Sequence, residues 1–407
     1  LAERPRFAAL YSRNFTLLWV GLIVSNAGTQ MQGVAQSWMV YEIGRSPIYL
    51  GYMGLAFAIP MVALPAIGGA AADTWDRIRL LKVTQVGMMA LALATALLTW
   101  TGAIRIWHFI AITAINAALL AFDNPTRQAI LPELVPKEDL LSAISLNSAA
   151  FTGAALFGPA LAGILFKPLG PAWLFFLNAV SFLAVLIALF LIRDVQSQPG
   201  KALDAPWERL VGGLRYAKRN RTVMALLFLS ACTNLFGRSY MQLLPVFIKD
   251  IWHVGEKEFG FLQSAAGAGA LLGAFGLAAA GDIRRKDLLL SGSLLGFCVI
   301  LIAFALSPFY SLALGLQVLS GILSTMAIST IATILQLKVP GQLRGRVMSL
   351  YTITIIGLSS MGSMGTAYLA TLMGAPTAVV IGAAVVALLT LGTAPVLREA
   401  GERGRSV

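Results

Sequence analysis

The chain has 407 residues, 58% of them hydrophobic and 12% charged, with a mean hydropathy of +0.79. A soluble fold of this size cannot hide so much apolar surface, so the solvent of the chain is lipid. The formal net charge of +12 reads as topology cations facing an anionic leaflet rather than as a nucleic-acid surface.

Crossing a bilayer as helix takes about 20 apolar residues, and helices satisfy their own backbone polar groups in lipid. Apolar runs predict six spans near 15–40, 48–72, 80–101, 106–122, 140–166 and 172–192. Six more follow near 222–248, 259–280, 288–306, 310–337, 347–373 and 376–396. The fourth run is short and is expected to stop at Asp123-Asn124-Pro125. The chain therefore reads as an all-α membrane protein. Residues 1–192 form a first six-helix bundle, 193–221 a linker, and 222–407 a second bundle.

The cations support this count. With alternating sides, 24 of the 30 Lys and Arg fall on one side, 5 on the other, and only Arg238 inside a span. That asymmetry is a positive-inside signal. It predicts a bacterial inner-membrane protein with both termini and the linker in the cytoplasm. Trp38, Trp100, Trp107, Trp173 and Trp252 sit at predicted outer ends of spans, as an aromatic belt requires. Cys232 and Cys298 lie within spans without metal-ligand spacing and read as small core residues. No metal or cofactor motif is present. The first span is too long for the apolar region of a cleavable signal.

The two halves repeat in register. Ile130-Leu131 through Val135-Pro136 matches Ile334-Leu335 through Val339-Pro340 at an offset of 204, which also pairs Ser145 with Ser349 and Gly158 with Gly362. Asp73 pairs with Asp282, and Gly51 with Gly260, at 209; Asn26 pairs with Asn234 at 208. Parallel repeats of six helices, with a site near the midplane, are a transporter architecture. Within the linker, Trp207, Leu210, Val211 and Leu214 share a helical face beside Arg209, Arg215, Lys218, Arg219 and Arg221. This reads either as an amphipathic helix on the inner leaflet or as a solvated linker.

Three runs carry a family resemblance. Gly68-Gly69 through Asp73, Asp76, Arg77 and Arg79 follow the second span, and Gly281-Asp282 with Arg284, Arg285 and Lys286 follow the eighth. The fifth span carries Gly153, Gly158-Pro159 and Gly163, a small-residue face with one missing backbone donor. The third run extends from Phe122-Asp123-Asn124-Pro125-Thr126-Arg127 to Pro136, accompanied by Ser25 through Gln32 in the first span. Together they resemble the major facilitator superfamily, in the bacterial branch of enterobactin exporters and macrolide efflux proteins. The resemblance implies the major facilitator fold, alternating access and a monomer. It also implies proton antiport and a latch in which, when the cytoplasmic side is closed, Arg77 lies between Asp73 and Asp123 and Asp73 lies near the start of the eleventh span by Arg346, with Asp282 in the second copy. Gly158 is expected to form a hinge seam with the C-terminal half. Thr74 and Asp76 depart from the loop signature. The helix-4 arginine is absent, and the acids, including Glu42, Asp73 and Asp123, read as loop or span-end residues.

Polar residues in spans mark a candidate cavity. In the first span Ser25, Asn26, Thr29, Gln30, Gln32, Gly33, Gln36 and Ser37 occupy an arc of about 160° at 100° per residue. Interhelical hydrogen bonding is the competing explanation. The seventh span repeats the pattern with Asn234, Arg238 and Gln242, and the fourth and tenth pair Thr113 and Asn116 with Gln317 and Ser320. In the superfamily these four helices line the cavity. Met31, Tyr240 and Met241 read as adaptable contacts or as packing. A guanidinium at mid-depth costs roughly 3 kcal/mol on insertion scales. Arg238 is thus expected either to be structural, bonded to helix carbonyls or snorkelling to the outer face, or to face the cavity, bonding Asn234 or Gln242 when empty and meeting an anionic or carbonyl-rich part of an amphipathic small molecule when loaded.

Three functions remain open at this point: an exporter of drug or siderophore type, a lipid or lysolipid translocator on the same fold, and a non-transporting sensor. An enzyme is disfavoured. No Ser/His/Asp constellation or phosphate loop is present, and His108 and His253 fall near the outer face.

Overall fold

A computed structural model describes residues 7–192, 206–281, 283 and 285–403. Among these the chain is helical, without strands. The first span, α1 (Arg13–Gly44), is one 32-residue helix. The second is broken into α2 (Pro47–Ala63) and α3 (Pro65–Thr74), bent by 46°. Pro60 lies inside α2 and Pro65 opens α3, and each proline removes a backbone donor where the helix would otherwise continue. Then come α4 (Arg77–Trp100), α5 (Ile106–Ile130), α6 (Leu140–Leu169) and α7 (Pro171–Leu191). The linker helix α8 (Pro206–Arg219) leads into the seventh span. The last five spans are α11 (Glu256–Ala280), α12 (Lys286–Ala305), α13 (Tyr310–Lys338), α14 (Gly341–Met373) and α15 (Ala375–Arg403). Ten described helical stretches are long and apolar enough to cross a membrane, and the bent pair is the eleventh. The polar arc of α1 keeps it outside that set despite its length, which brings the spans to twelve.

The seventh span is not a uniform helix. It runs as α9 (Arg221–Cys232), a π segment (Thr233–Arg238), a 3-10 segment (Ser239–Leu243), α10 (Leu244–Val246) and a second π segment (Phe247–Ile251). Pro245 cannot bond the carbonyl four residues back, and mid-helix changes of winding mark strain or a functional hinge. A side chain at Gly362 of α14 would collide with the Leu235 carbonyl, so only a glycine lets the two backbones meet there.

The chain divides into two compact units, Leu1–Ile43 with Pro60–Leu203, and Gly44–Ile59 with Asp204–Val407. These bounds differ in two places from those read in the sequence. The segment before Pro60 belongs to the second unit, where Gly51 and Gly54 lie against Met364 and Ser363 of α14. Helix α8 also belongs there, burying Gly213 and Ala217 against the start of α14 and leaving Val211 and Leu214 exposed. Linker residues 193–205 fall outside the described residues.

The belt is partial. Trp100, Trp107 and Trp173 are exposed, but Trp38 packs on Phe166 and is buried. Trp252, also buried, stacks with Phe247, Phe304 and Tyr310 and donates to the Ser307 carbonyl at 2.9 Å. Both cysteines are free and buried.

Candidate functional site

The polar arc of α1 is spent unevenly. Ser25 is buried. Gln32 accepts from Asn178 of α7 at 2.6 Å, and Gln36 donates to Thr113 of α5 at 2.6 Å. Asn26 and Gln30 remain partly exposed and Thr29 exposed, and none of their side chains is hydrogen-bonded within the described residues. Helices α1 and α5 run antiparallel, so the turn of α5 after Thr113, with its partly exposed Asn116, lies beside the turn of α1 before Gln36. Gly158 of α6 faces α1: an added Cβ would stand 2.6 Å from Gln30 Cβ and 3.0 Å from the Ala27 carbonyl. Gly158 therefore forms a seam with the first span inside its own unit, not the seam with the C-terminal half expected from sequence. Gly153, by contrast, has open space around it. Pro159 and Gly163 are buried in α6.

The repeat-related positions in the second unit are closed. Gln317 is 0% exposed, Ser320 3% and Tyr240 2%. The Tyr240 hydroxyl donates to Gln317 Oε1 at 3.0 Å and lies 3.0 Å from Ser320 Oγ. Tyr240 also stacks on Phe304. This network ties the seventh span to α13, and it leaves Gln317 Nε2 buried without a partner. Asn234 is buried, donates to the Ser230 carbonyl at 2.8 Å, and keeps Oδ1 unpartnered. Arg238 bonds neither Asn234 nor Gln242. The amide of Asn234 is already used one turn back. Met31 is packed in the core, whereas Met241 and Gln242 remain partly exposed.

Charged groups gather where the second, third and fourth spans meet. Arg77 pairs with Glu133 and donates to the carbonyls of Ala72 at 3.0 Å and Ala129 at 3.3 Å. The sequence expectation placed Arg77 between Asp73 and Asp123, and neither is its partner here. The reason lies in α5, which continues through Pro125 to Ile130 instead of stopping at Asp123. Residue 133 is thereby brought to Arg77 and Asp123 carried deeper. Pro125 has no N–H for the Ala121 carbonyl, and the backbone of Gly68 packs against that oxygen. Asp123 is fully buried. It accepts from Thr84 and Gln85 of α4, both at 2.8 Å, and pairs with Arg127. Asp73 is partly exposed, and Asp282 falls outside the described residues. Sequence reading missed Glu133, Thr84, Gln85 and Asn178 as partners. The available signal was their polarity next to or inside apolar spans.

No cluster of His, Cys, Asp and Glu suited to a metal occurs among the described residues. Among the described residues the geometry offers an uncharged polar face in one unit, a cation without a carboxylate partner in the other, a partly exposed Arg77–Glu133 pair and the Asp123–Arg127 pair within α5.

Known proteins match this description. Residues 5–402 match the family model described as transmembrane secretion effector. The staphyloferrin A transporter of Staphylococcus aureus is 27% identical over 268 residues, which is 64% of this chain and 64% of that transporter's own length. The enterobactin exporter of Shigella boydii is 26% identical over 381 residues, 90% of this chain and 86% of the exporter. A bacterial homolog of the human lysosomal transporter Spinster, in an inward-facing and unoccupied conformation, superposes with a TM-score of 0.75 at 15% identity, covering 98% of both chains. A fold with these relatives is that of a multi-pass transporter and not of an enzyme, and the chain belongs to the transmembrane secretion effector family of the major facilitator superfamily.

Proposed function

We propose that the protein is a secondary active exporter of siderophore-type small molecules in a bacterial inner membrane, with both termini in the cytoplasm. It works as a monomer by alternating access, exchanging cargo for protons. The observation that carries this reading is the open trio Asn26, Thr29 and Gln30 on α1. These polar groups lie within an apolar span, are not consumed by the fold, and suit the hydroxyl and carbonyl groups of a cargo. The alignment with the enterobactin exporter over 90% of the chain supports the cargo class, and the cation asymmetry supports the orientation.

The acids constrain the proton route. Asp123 accepts from Thr84 and Gln85 of α4 and pairs with Arg127 on its own helix, so a change in its partners would alter the seam of α4 with α5, and it is the buried acid to test first for a coupling role. Counterflow in proteoliposomes tests the whole reading. Vesicles preloaded with enterobactin should accumulate labelled enterobactin, and an imposed proton gradient should drive net movement. Failure of both with enterobactin and with staphyloferrin A would sink the cargo class. Scrambling of fluorescent lysolipid by the same vesicles would favour a lipid translocator instead.

A further inference from the structure

Arg238 is the one cation that the sequence places within a span, apart from the cytoplasmic-side and outer-side sets. It stands where the π segment ends and the 3-10 segment begins. Among the described residues no carboxylate pairs with it and no hydrogen bond engages its guanidinium. The charge lies within electrostatic reach of the Tyr240 and Tyr351 hydroxyls. Both hydroxyls are committed elsewhere, Tyr240 to Gln317 and Ser320 and Tyr351 to the Ile328 carbonyl at 2.6 Å. Asn234, one turn away, is held by the Ser230 carbonyl. Side chains around Arg238 are thus fixed by other bonds, while Arg238, a half-buried residue, keeps its guanidinium donors unspent among the described residues. Membrane cations that are not paired internally face a wet pathway and serve an ion or a substrate.

We infer that Arg238 is an anion-binding subsite that receives a carboxylate or catecholate group of the cargo. A guanidinium presents five donors in a planar fork that matches two adjacent oxygens of such a group. The break in the seventh span supports this role, since Arg238 stands where the winding changes from π to 3-10, and such changes of winding mark functional hinges. The inference rests on the transport reading only for the identity of the cargo; the site itself is a property of the second unit.

The test uses a matched pair of probes, 2,3-dihydroxybenzoate and its methyl ester, which share a ring and differ by the carboxylate charge. Binding to the purified full-length protein is read by tryptophan fluorescence. Wild type should prefer the acid over the ester by at least about ten-fold, since a charge-assisted pair outweighs a neutral hydrogen bond by that order. Arg238→Gln should lose the preference while its thermal unfolding matches that of wild type. Arg238→Lys keeps a charge without the fork and should retain only part of the preference. No preference in wild type, or an undiminished preference in whichever variant folds, overturns the inference. Enterobactin counterflow by wild type separates the two readings. Transport without charge preference removes the Arg238 subsite and leaves the exporter. Charge preference without transport leaves the subsite and removes the cargo class.

Discussion

The first and seventh spans hold the same place in the two repeats, and Asn26 and Gln30 pair with Asn234 and Arg238 at a common offset of 208. The two spans are nevertheless built in opposite ways. Span one is a single 32-residue helix that keeps Asn26, Thr29 and Gln30 open. Span seven changes winding four times and folds Asn234 and Tyr240 into its own unit, with a cation at the break. Continuous winding keeps a polar arc on one face. Broken winding scatters it, and the scattered groups find partners on α13 and α14. Equal positions in a repeat need not keep equal surroundings, and the local backbone decides which copy keeps its polar groups open.

The contrast breaks most completely at Gly362. A side chain there would strike the Leu235 carbonyl, so Gly362→Leu should force α14 off the broken segment. No room exists to relax into, and the cost of about 3 kcal/mol or more should remove the monodisperse peak in size-exclusion chromatography. Gly365, with nothing near it, should accept Leu with a normal profile. Equal behaviour of the two variants would mean that the seam does not hold the break in place.

Next in size is Asp123→Ala. It strips Thr84 and Gln85 of an acceptor and leaves Arg127 unpaired, a loss of about 2–3 kcal/mol for bonds to a buried charge. The melting temperature should fall by several degrees, and proton-driven transport should fail while proton-independent counterflow persists in the folded fraction. Intact gradient-driven accumulation would move the coupling role away from this carboxylate.

The Arg77–Glu133 pair is partly exposed, at 12% and 22%, and should matter less for stability than for state populations. Partly buried pairs of this kind differ by about 1–2 kcal/mol between conformations. Arg77→Ala and Glu133→Gln should each slow transport several-fold, and the double variant should be no worse than either. Additive losses in that cycle would show that the residues act apart.

A smaller and sharper distinction separates the two polar sets. Gly158→Leu presses on Gln30 and the Ala27 carbonyl, disturbing the open face of α1. It should raise the cargo KM with modest loss of fold. Tyr240→Phe removes the hydroxyl shared with Gln317 and Ser320, at a cost of about 1 kcal/mol. A slightly lower melting temperature with unchanged KM is the expected result. A changed KM in Tyr240→Phe would put the closed network in contact with cargo after all.

Several features were legible before any coordinates. Apolar runs, cation alternation and the repeat each integrate over many residues, so local exceptions do not disturb them. Helix α8 was legible only as one of two alternatives, and its packing through Gly213 and Ala217 on α14 was not. The partners of individual charges were not legible. Arg77 finds Glu133 because α5 continues past Pro125, and no spacing rule predicts whether a proline ends a helix or only frees one carbonyl. Gln317 and Ser320 read as cavity residues because polarity within a span is ambiguous: a hydrogen bond between helices and a wet face require the same residue types.

The sequence by itself determined that this chain is a twelve-span, twofold-repeated membrane protein, because burial in lipid acts on composition and length alone. Tertiary structure decided which polar groups are free. That choice depends on where neighbouring backbones approach, as at Gly68, Gly158 and Gly362, and on where span seven leaves the α-helical path. Such contacts join residues far apart in the chain, and their energies are set by helix packing rather than by any local pattern.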